Sequence, residues 1–206
     1  MGSSKTDLRP SFSGYYERPL NRVLFRWIDH RKIRIIDYAL RSLPPESVII
    51  DVGCGSGRIL QRVHSSAELR VACDHDPQLL RLAHAHGLAG VQLDFDAPLP
   101  FPDGSVDAAL SVDAIEHSID PHSVLAELQR VLRPGGLAIV FTPPYDSVRW
   151  ILAERFHGLV TGRPADHIAP FTRESLEWAV SRLFDDYQIG RTNANLTMYV
   201  LARKAG

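Results

Sequence analysis

The stretch that decides the fold is Val48-Ile49-Ile50-Asp51-Val52-Gly53-Cys54-Gly55-Ser56-Gly57. Its opening half is an apolar run interrupted only by Asp51, the pattern of a strand buried on both faces of a sheet. Three alternating glycines follow. Glycine allows the chain to turn with positive φ and lets a ligand approach the main chain closely. The spacing predicts a helix over Gly57–His64, with its free N–H groups and positive dipole end facing whatever the loop holds. Taken alone, such a loop is a tight strand-to-helix turn, so its neighbours must decide its role.

Outward from the loop, strands and helices alternate. Leu69–Asp74, Val91–Asp94, Val106–Val112 and Leu137–Phe141 read as strands. Asp76-Pro77 and Asp120-Pro121 each supply an N-cap and a first-turn proline. The first of these helices runs towards Gly87 and the second to Arg133, where Pro134-Gly135-Gly136 ends it. Thr172 caps a helix through Phe184, and Tyr187–Arg191 and Leu196–Ala202 are the last strand candidates. Upstream, Leu20, Val23, Leu24, Trp27, Ile28, Ile33, Ile36 and Leu40 recur at helical spacing. This order implies an α/β protein with a doubly wound, parallel sheet. It reads as a single domain over 1–206, with a helical segment at 1–44, a binding core at 45–143, a lid insertion at 144–171 and a final helix and strands at 172–206. Ligands of such sheets sit outside the carboxyl ends of the strands, so the loops to inspect follow Ile50, Cys73, Leu93, Val112 and Phe141.

Composition narrows the classes of function. With 45% apolar and 23% charged residues, the chain can bury one sizeable core. A net charge of −1 gives no global attraction to nucleic acid or an anionic membrane, and no basic-aromatic array points to nucleic acid. The two cysteines, Cys54 and Cys73, lack metal-ligand spacing and read as small buried fillers. No run approaches the roughly 20 apolar residues of a membrane span, so a cytoplasmic location is expected. Met1–Thr6 matches a short myristoylation pattern and reads as a polar tail. The helix over Glu17–Arg41 carries seven basic residues against Glu17, Asp29 and Asp37. It reads as a solvated face on a core helix, with peripheral membrane contact or an anionic substrate as the alternative.

The acids around the glycine loop define the ligand. Asp74 ends the second strand, where a carboxylate can accept from ribose hydroxyls, at the spacing a nucleoside-binding unit needs. Asp94 ends the third strand and can accept from an adenine amino group. A dinucleotide loop wants its third glycine two residues after Ser56, but Arg58 stands there and Gly57 comes one position early. Asp51 would repel a pyrophosphate but hold an ammonium. Ribose, adenine, an ammonium and no phosphate together describe S-adenosylmethionine, with Asp51, Gly53, Cys54, Gly55, Ser56, Gly57, Asp74 and Asp94 facing it.

These blocks resemble the class I S-adenosylmethionine-dependent methyltransferases, especially the broad group containing quinone-biosynthesis enzymes. The resemblance rests on Val48–Gly57, Val71–Pro77, Asp94–Asp103, Val106–His117 and Leu128–Gly136, which occur in the family's order across about residues 45 to 143. It implies a Rossmann-like sheet of seven strands, mostly parallel, with an antiparallel final strand that Leu196–Ala202 would supply. It also implies cofactor contacts from His75, Phe95, Ser111, Val112 and Asp113. Asp76 departs from the small residue common in relatives and reads as a helix cap. Thr142-Pro143-Pro144-Tyr145 looks like the signature of amino-methyltransferases acting on bases or glutamine. It follows the fifth strand rather than the fourth, so it does not indicate that chemistry.

Methyl transfer from a sulfonium is an in-line displacement, in which the protein chiefly aligns the reactants. A base is needed only where the acceptor must lose a proton. His117, just past the fourth strand, is the first candidate, and His167, in the lid, is the second. Glu116 with His117 offers two neighbouring metal ligands, as in some quinone-methyltransferase relatives, which is too few for a site; no metal is expected. Tyr145 and Trp150 are the candidate substrate contacts in a lid made apolar by Ile151, Leu152, Phe156, Leu159 and Val160. The expected partner is a small molecule, lipophilic or anionic. A regulatory module that binds the cofactor without catalysis and a nicotinamide-dependent oxidoreductase are the competing readings.

Overall fold

The computed structural model describes residues 19–161 and 167–206, with the backbone alone at 19–27, 157, 160 and 161. In chain order the elements are α1 (Pro19–Leu40), β1 (Val48–Val52), β2 (Leu69–Asp74), α2 (Pro77–Ala85), β3 (Ala89–Gln92), β4 (Val106–Val112), α3 (Pro121–Val131), β5 (Leu132–Thr142), α4 (Val148–Thr161), α5 (Arg173–Ser181), β6 (Asp186–Thr192) and β7 (Thr197–Arg203). The seven strands form one sheet in the order β3-β2-β1-β4-β5-β7-β6. β1 pairs in parallel with β2 and β4, and β4 with β5, whereas β7 runs antiparallel to both β5 and β6. The doubly wound, mostly parallel sheet is as expected. The myristoylation pattern and Glu17-Arg18 lie outside the described residues.

The alternation along each strand separates two cores. Ile50 and Val52 point with Ala109, Val140 and Val200 towards α3 and α5, packing on Leu125, Leu128 and Leu176. Ile49 points with Leu110, Ile139 and Phe141 to the other face, against Ile33, Ile36 and Leu40 of α1. Burying a Leu, Ile or Phe side chain is worth about 1.5–3 kcal/mol, so these two layers hold the sheet edge rigidly in place.

The caps form as their chemistry dictates. Asp76 accepts from the Gln78 N–H at 2.7 Å, Asp120 from the Ser123 N–H at 3.2 Å, and Thr172 from the Ser175 N–H at 3.1 Å.

Three local expectations are corrected. Gly57–His64 does not form an α-helix, and only Leu60–Arg62 closes a 3-10 turn. The Gly57 N–H is spent on the Cys54 carbonyl at 3.0 Å, and Asp37 of α1 takes the His64 N–H at 2.7 Å. The few residues left between these anchors cannot repay helix nucleation. The third strand is Ala89–Gln92 rather than Val91–Asp94, because its pairing stops where β2 stops, at Asp74 opposite Gln92. Asp94 therefore lies in the following turn, where its Oδ1 accepts the Asp96 N–H at 3.1 Å. Pro134-Gly135-Gly136 is a bulge inside β5 rather than a stop before it. The register slips from Val106 opposite Leu132 to Ala108 opposite Leu137, and Gly135 takes φ +78° there.

Candidate active site

The loops after β1 to β5 meet at the carboxyl edge of the sheet. Gly53, Gly55 and Gly57 all have positive φ, at +77°, +55° and +72°. Gly53 and Gly57 are also walled in: an added Cβ would stand 2.4 Å from Ala114 Cβ at Gly53 and 2.6 Å from Leu88 Cδ1 at Gly57. Gly55 differs, since a Cβ there meets nothing within 4 Å. Its open side leaves room for a ligand to approach the main chain. Ser56 sits half-buried between Gly55 and Gly57.

Asp74 holds the loop in shape. Its Oδ2 accepts the Gly55 N–H at 2.8 Å and its Oδ1 the Asp76 N–H at 2.9 Å, with His75 Nδ1 at 3.3 Å. Oδ2, with the Gly55 N–H as its hydrogen bond, keeps a second lone-pair direction for a hydroxyl. Asp51 is buried, and its Oδ1 has no hydrogen-bond partner. Burial, reinforced by the charges of Asp74 and Asp113, pushes its carboxyl up to about 7. An orphaned buried carboxylate asks for a cationic or donor group. Asp51, Asp74 and the open face of Gly55 thus fit the ammonium, ribose and main-chain approach of S-adenosylmethionine. Phe95 is buried and Asp94 half-buried in the loop after β3. The thiols of Cys54 and Cys73 are pushed well above their ordinary range, first by burial and then by Asp51. They stay protonated, as fillers do.

The end of β4 holds a contact that the sequence reading missed. Val112 is buried, Ser111 Oγ is buried without a partner, and Asp113 takes φ +52°. Asp113 is ion-paired with Lys32 of α1, a lysine only 3% exposed. One turn earlier, the buried Asp29 pairs with Arg58 and Arg62 beside the glycine loop. The signal was present: Asp29, Lys32, Ile33, Ile36 and Leu40 share one helical stripe, so Lys32 belongs to the packed face, not the solvated one.

Beyond Asp113, Ala114 packs on Gly53, and a 3-10 turn at Ile115–His117 presents Glu116 and His117. The segment leading into α5 reaches the same turn, since the N–H groups of Ile168 and Ala169 both donate to the Glu116 carbonyl at 2.9 Å. This brings His167 to His117, with ring centroids 5.0 Å apart. Trp150 stacks on His167 at 6.0 Å, and Tyr145 meets it edge-on at 5.8 Å. All four residues proposed for the acceptor side therefore gather in one cluster. Glu154 of α4, which the sequence reading did not single out, completes it. The Tyr145 hydroxyl lies 2.5 Å from Glu154 Oε1 and 2.6 Å from His167 Nδ1. The hydroxyl has one proton and the carboxylate only accepts. The network therefore assigns Tyr145 O–H to Glu154 and His167 Nδ1–H to Tyr145, which leaves the lone pair on Nε2.

Glu116 is buried. Thr142 Oγ1 donates to its Oε2 at 3.1 Å, while Oε1 has no partner. Burial first, then the charge of Asp113, pushes it up to about 8. Glu116, His117 and His167 bring ligand atoms within 4.8 Å of one another. The two neighbouring ligands of the sequence reading thus gain a third through the fold.

Residues 50–140 match the methyltransferase domain family. A demethylmenaquinone methyltransferase of Thermus thermophilus is 35% identical over 133 residues, covering 61% of this chain and 60% of that protein. The chain thus spans about three fifths of that relative's length. Among solved structures, a chain of the Haloferax volcanii complex between the Trm112 methyltransferase activator and a methyltransferase superposes with a TM-score of 0.71 at 19% identity, covering 97% of this chain and 98% of that one. A Thermotoga maritima S-adenosylmethionine-dependent methyltransferase gives 0.68 at 20% identity, covering 92% and 97%. These two likenesses are of fold. Residues 50–140, which span the strands and loops of this site, form a methyltransferase domain, and the fold is that of solved S-adenosylmethionine-dependent methyltransferases.

Proposed function

We propose that this chain transfers a methyl group from S-adenosylmethionine to a small lipophilic or anionic acceptor held between the loops after β4 and β5 and α4. One observation carries the reading. Ala114 packs on the cofactor loop at Gly53, and the cluster of Glu116, His117, Tyr145, Glu154 and His167 begins two residues later. The name of the Thermus relative, a demethylmenaquinone methyltransferase, supports a lipophilic acceptor.

S-adenosylmethionine supplies an activated methyl on a sulfonium. The chain's own residues hold and orient. Asp74 accepts from the ribose hydroxyls, Asp51 faces the ammonium, and Gly55 leaves room for the main chain to be approached. His75, Asp94, Phe95, Ser111, Val112 and Asp113 complete the cofactor wall. On the acceptor side, His167 Nε2 takes the proton of the attacking group, and the resulting imidazolium is held through Tyr145 by Glu154. His117, facing it, is the alternative base. Trp150 and Tyr145 supply the apolar walls.

Methyl transfer from labelled S-adenosylmethionine into metabolite extracts tests the reading. A labelled product that is lost in His117→Ala and His167→Ala supports it. Binding of S-adenosylmethionine without transfer to any acceptor would instead indicate a regulatory binding module, and NADH binding in its place would indicate an oxidoreductase.

A second reading rests on the three converging ligand atoms. Glu116, His117 and His167 would hold a divalent cation that polarises the acceptor oxygen. Activity that survives a chelator supports the base. Activity lost to a chelator and restored by a divalent ion supports the cation.

A further inference from the structure

We infer that α4 is a docking helix for an anionic lipid surface. The contact itself rests on surface chemistry alone; its consequence for activity rests on the lipophilic-acceptor reading above. Val148, Leu152, Phe156 and Leu159 are 70%, 61%, 69% and 84% exposed. At about 100° per residue these four side chains fall within an arc of roughly 80°. They form one stripe rather than scattered surface residues. Arg149 and Arg155, both exposed, stand on its two sides. The helix's one acid, Glu154, is turned inward to Tyr145.

The inner side of α4 packs on the protein, where Trp150 stacks on His167. A contiguous exposed apolar strip marks a contact site. The surrounding charge indicates the cover. The turn at Asn193–Asn195 joins α4 to α1: Ser147 Oγ donates to the Asn195 carbonyl at 2.8 Å, and Asn193 Nδ2 to the Ile28 carbonyl at 3.2 Å. Past Ile28, α1 exposes His30, Arg31 and Arg34. In a chain of net charge −1 this basic neighbourhood is a local asymmetry. Arginines at the edges of an exposed apolar stripe reach headgroups while the stripe meets the acyl boundary, and anionic headgroups attract such side chains. A second copy would set the same arginines against each other.

The inner face gives the contact a consequence. Glu154 and Trp150 reach His167 from the same helix that would lie on the lipid, so docking holds the acceptor side closed at the surface where a lipophilic acceptor is dissolved.

The test is flotation of the full chain with phosphatidylcholine vesicles, with and without phosphatidylserine, in the absence of cofactor and acceptor. The wild type should float with the anionic vesicles and stay behind with the neutral ones. The double variant Leu152→Glu/Leu159→Glu should lose at least ~10-fold in partition, as should Arg149→Glu/Arg155→Glu. Both pairs are exposed, and an unchanged circular-dichroism melt confirms that the variants fold. Absence of flotation, flotation unchanged by either variant, or a wild-type dimer in sedimentation equilibrium that the leucine variant abolishes would each overturn the inference. Because no activity is read, a failure of the methyl-transfer reading would leave the flotation result standing.

Discussion

The Tyr145 hydroxyl lies 2.6 Å from His167 Nδ1, across 22 residues of chain. It also donates to Glu154, so two hydrogen bonds run from His167 Nδ1 to a carboxylate, and in the proposed reaction they hold the proton that His167 takes. Tyr145→Phe removes the relay and keeps the ring. Hydrogen bonds to a charged group are worth about 1.5–3 kcal/mol, so kcat should fall by roughly 10- to 100-fold. The acid limb of the pH–rate profile should move to lower pH, while the affinity for S-adenosylmethionine stays unchanged. A Tyr145→Phe/Glu154→Gln double variant should be no worse than the weaker single one, because the two residues act as a unit. Additive losses would separate them.

As the proposed partner of the cofactor's ammonium, Asp51 should link cofactor binding to pH. Its carboxyl is raised from 3.8 to about 7, chiefly by burial. To face an ammonium it must be ionised. Affinity for S-adenosylmethionine should therefore fall about 10-fold per unit as pH drops below about 7, and Asp51→Asn should bind weakly and without this slope. Stability should move the other way. Below 3.8 both folded and unfolded chains hold the proton. Between 3.8 and about 7 only the folded chain does, so the ligand-free protein loses stability as pH rises through that window. Asp51→Asn should be the more stable protein at pH 8, by a few kcal/mol at most. Titration calorimetry and denaturant melts across pH measure both.

Gly55 and Gly57 should separate binding from folding. Gly57→Ala drives a Cβ to 2.6 Å from Leu88 Cδ1 at φ +72°. It should cost about 2–4 kcal/mol from strain and overpacking. Gly55→Ala meets no atom within 4 Å and should cost only the positive-φ term, about 1–2 kcal/mol. Yet its methyl would fill the loop's open side, and cofactor affinity should drop more than ~10-fold. Denaturant unfolding beside calorimetric titration distinguishes the two.

Lys32 and Asp113 make an unequal pair, 3% and 36% exposed. Lys32→Met leaves a half-exposed carboxylate that water can reach, at about 1 kcal/mol. Asp113→Asn strands the buried lysine and should cost more, about 2–4 kcal/mol. Asn tolerates the positive φ of Asp113, so the difference isolates charge from backbone strain. Equal losses in chemical denaturation would mean that the pair is screened.

Wherever the signal was local, the sequence by itself determined the outcome. The apolar run Val48–Val52, the glycines after it, and the caps at Asp76, Asp120 and Thr172 are each written in a few adjacent residues, and each forms as its own chemistry requires. The order of strands and acids then pointed to a nucleoside bearing an amino acid. Tertiary structure decided the rest. Whether Gly57–His64 would coil depended on Asp37, a residue of another helix. Lys32 reaches Asp113 across 81 residues, and Glu116, His117 and His167 converge where the N–H groups of Ile168 and Ala169 pair with the Glu116 carbonyl. Contacts between distant residues depend on how two elements pack rather than on the residues between them. For that reason the glycine loop was legible in the chain, and the cluster proposed to hold the acceptor took shape only in the fold.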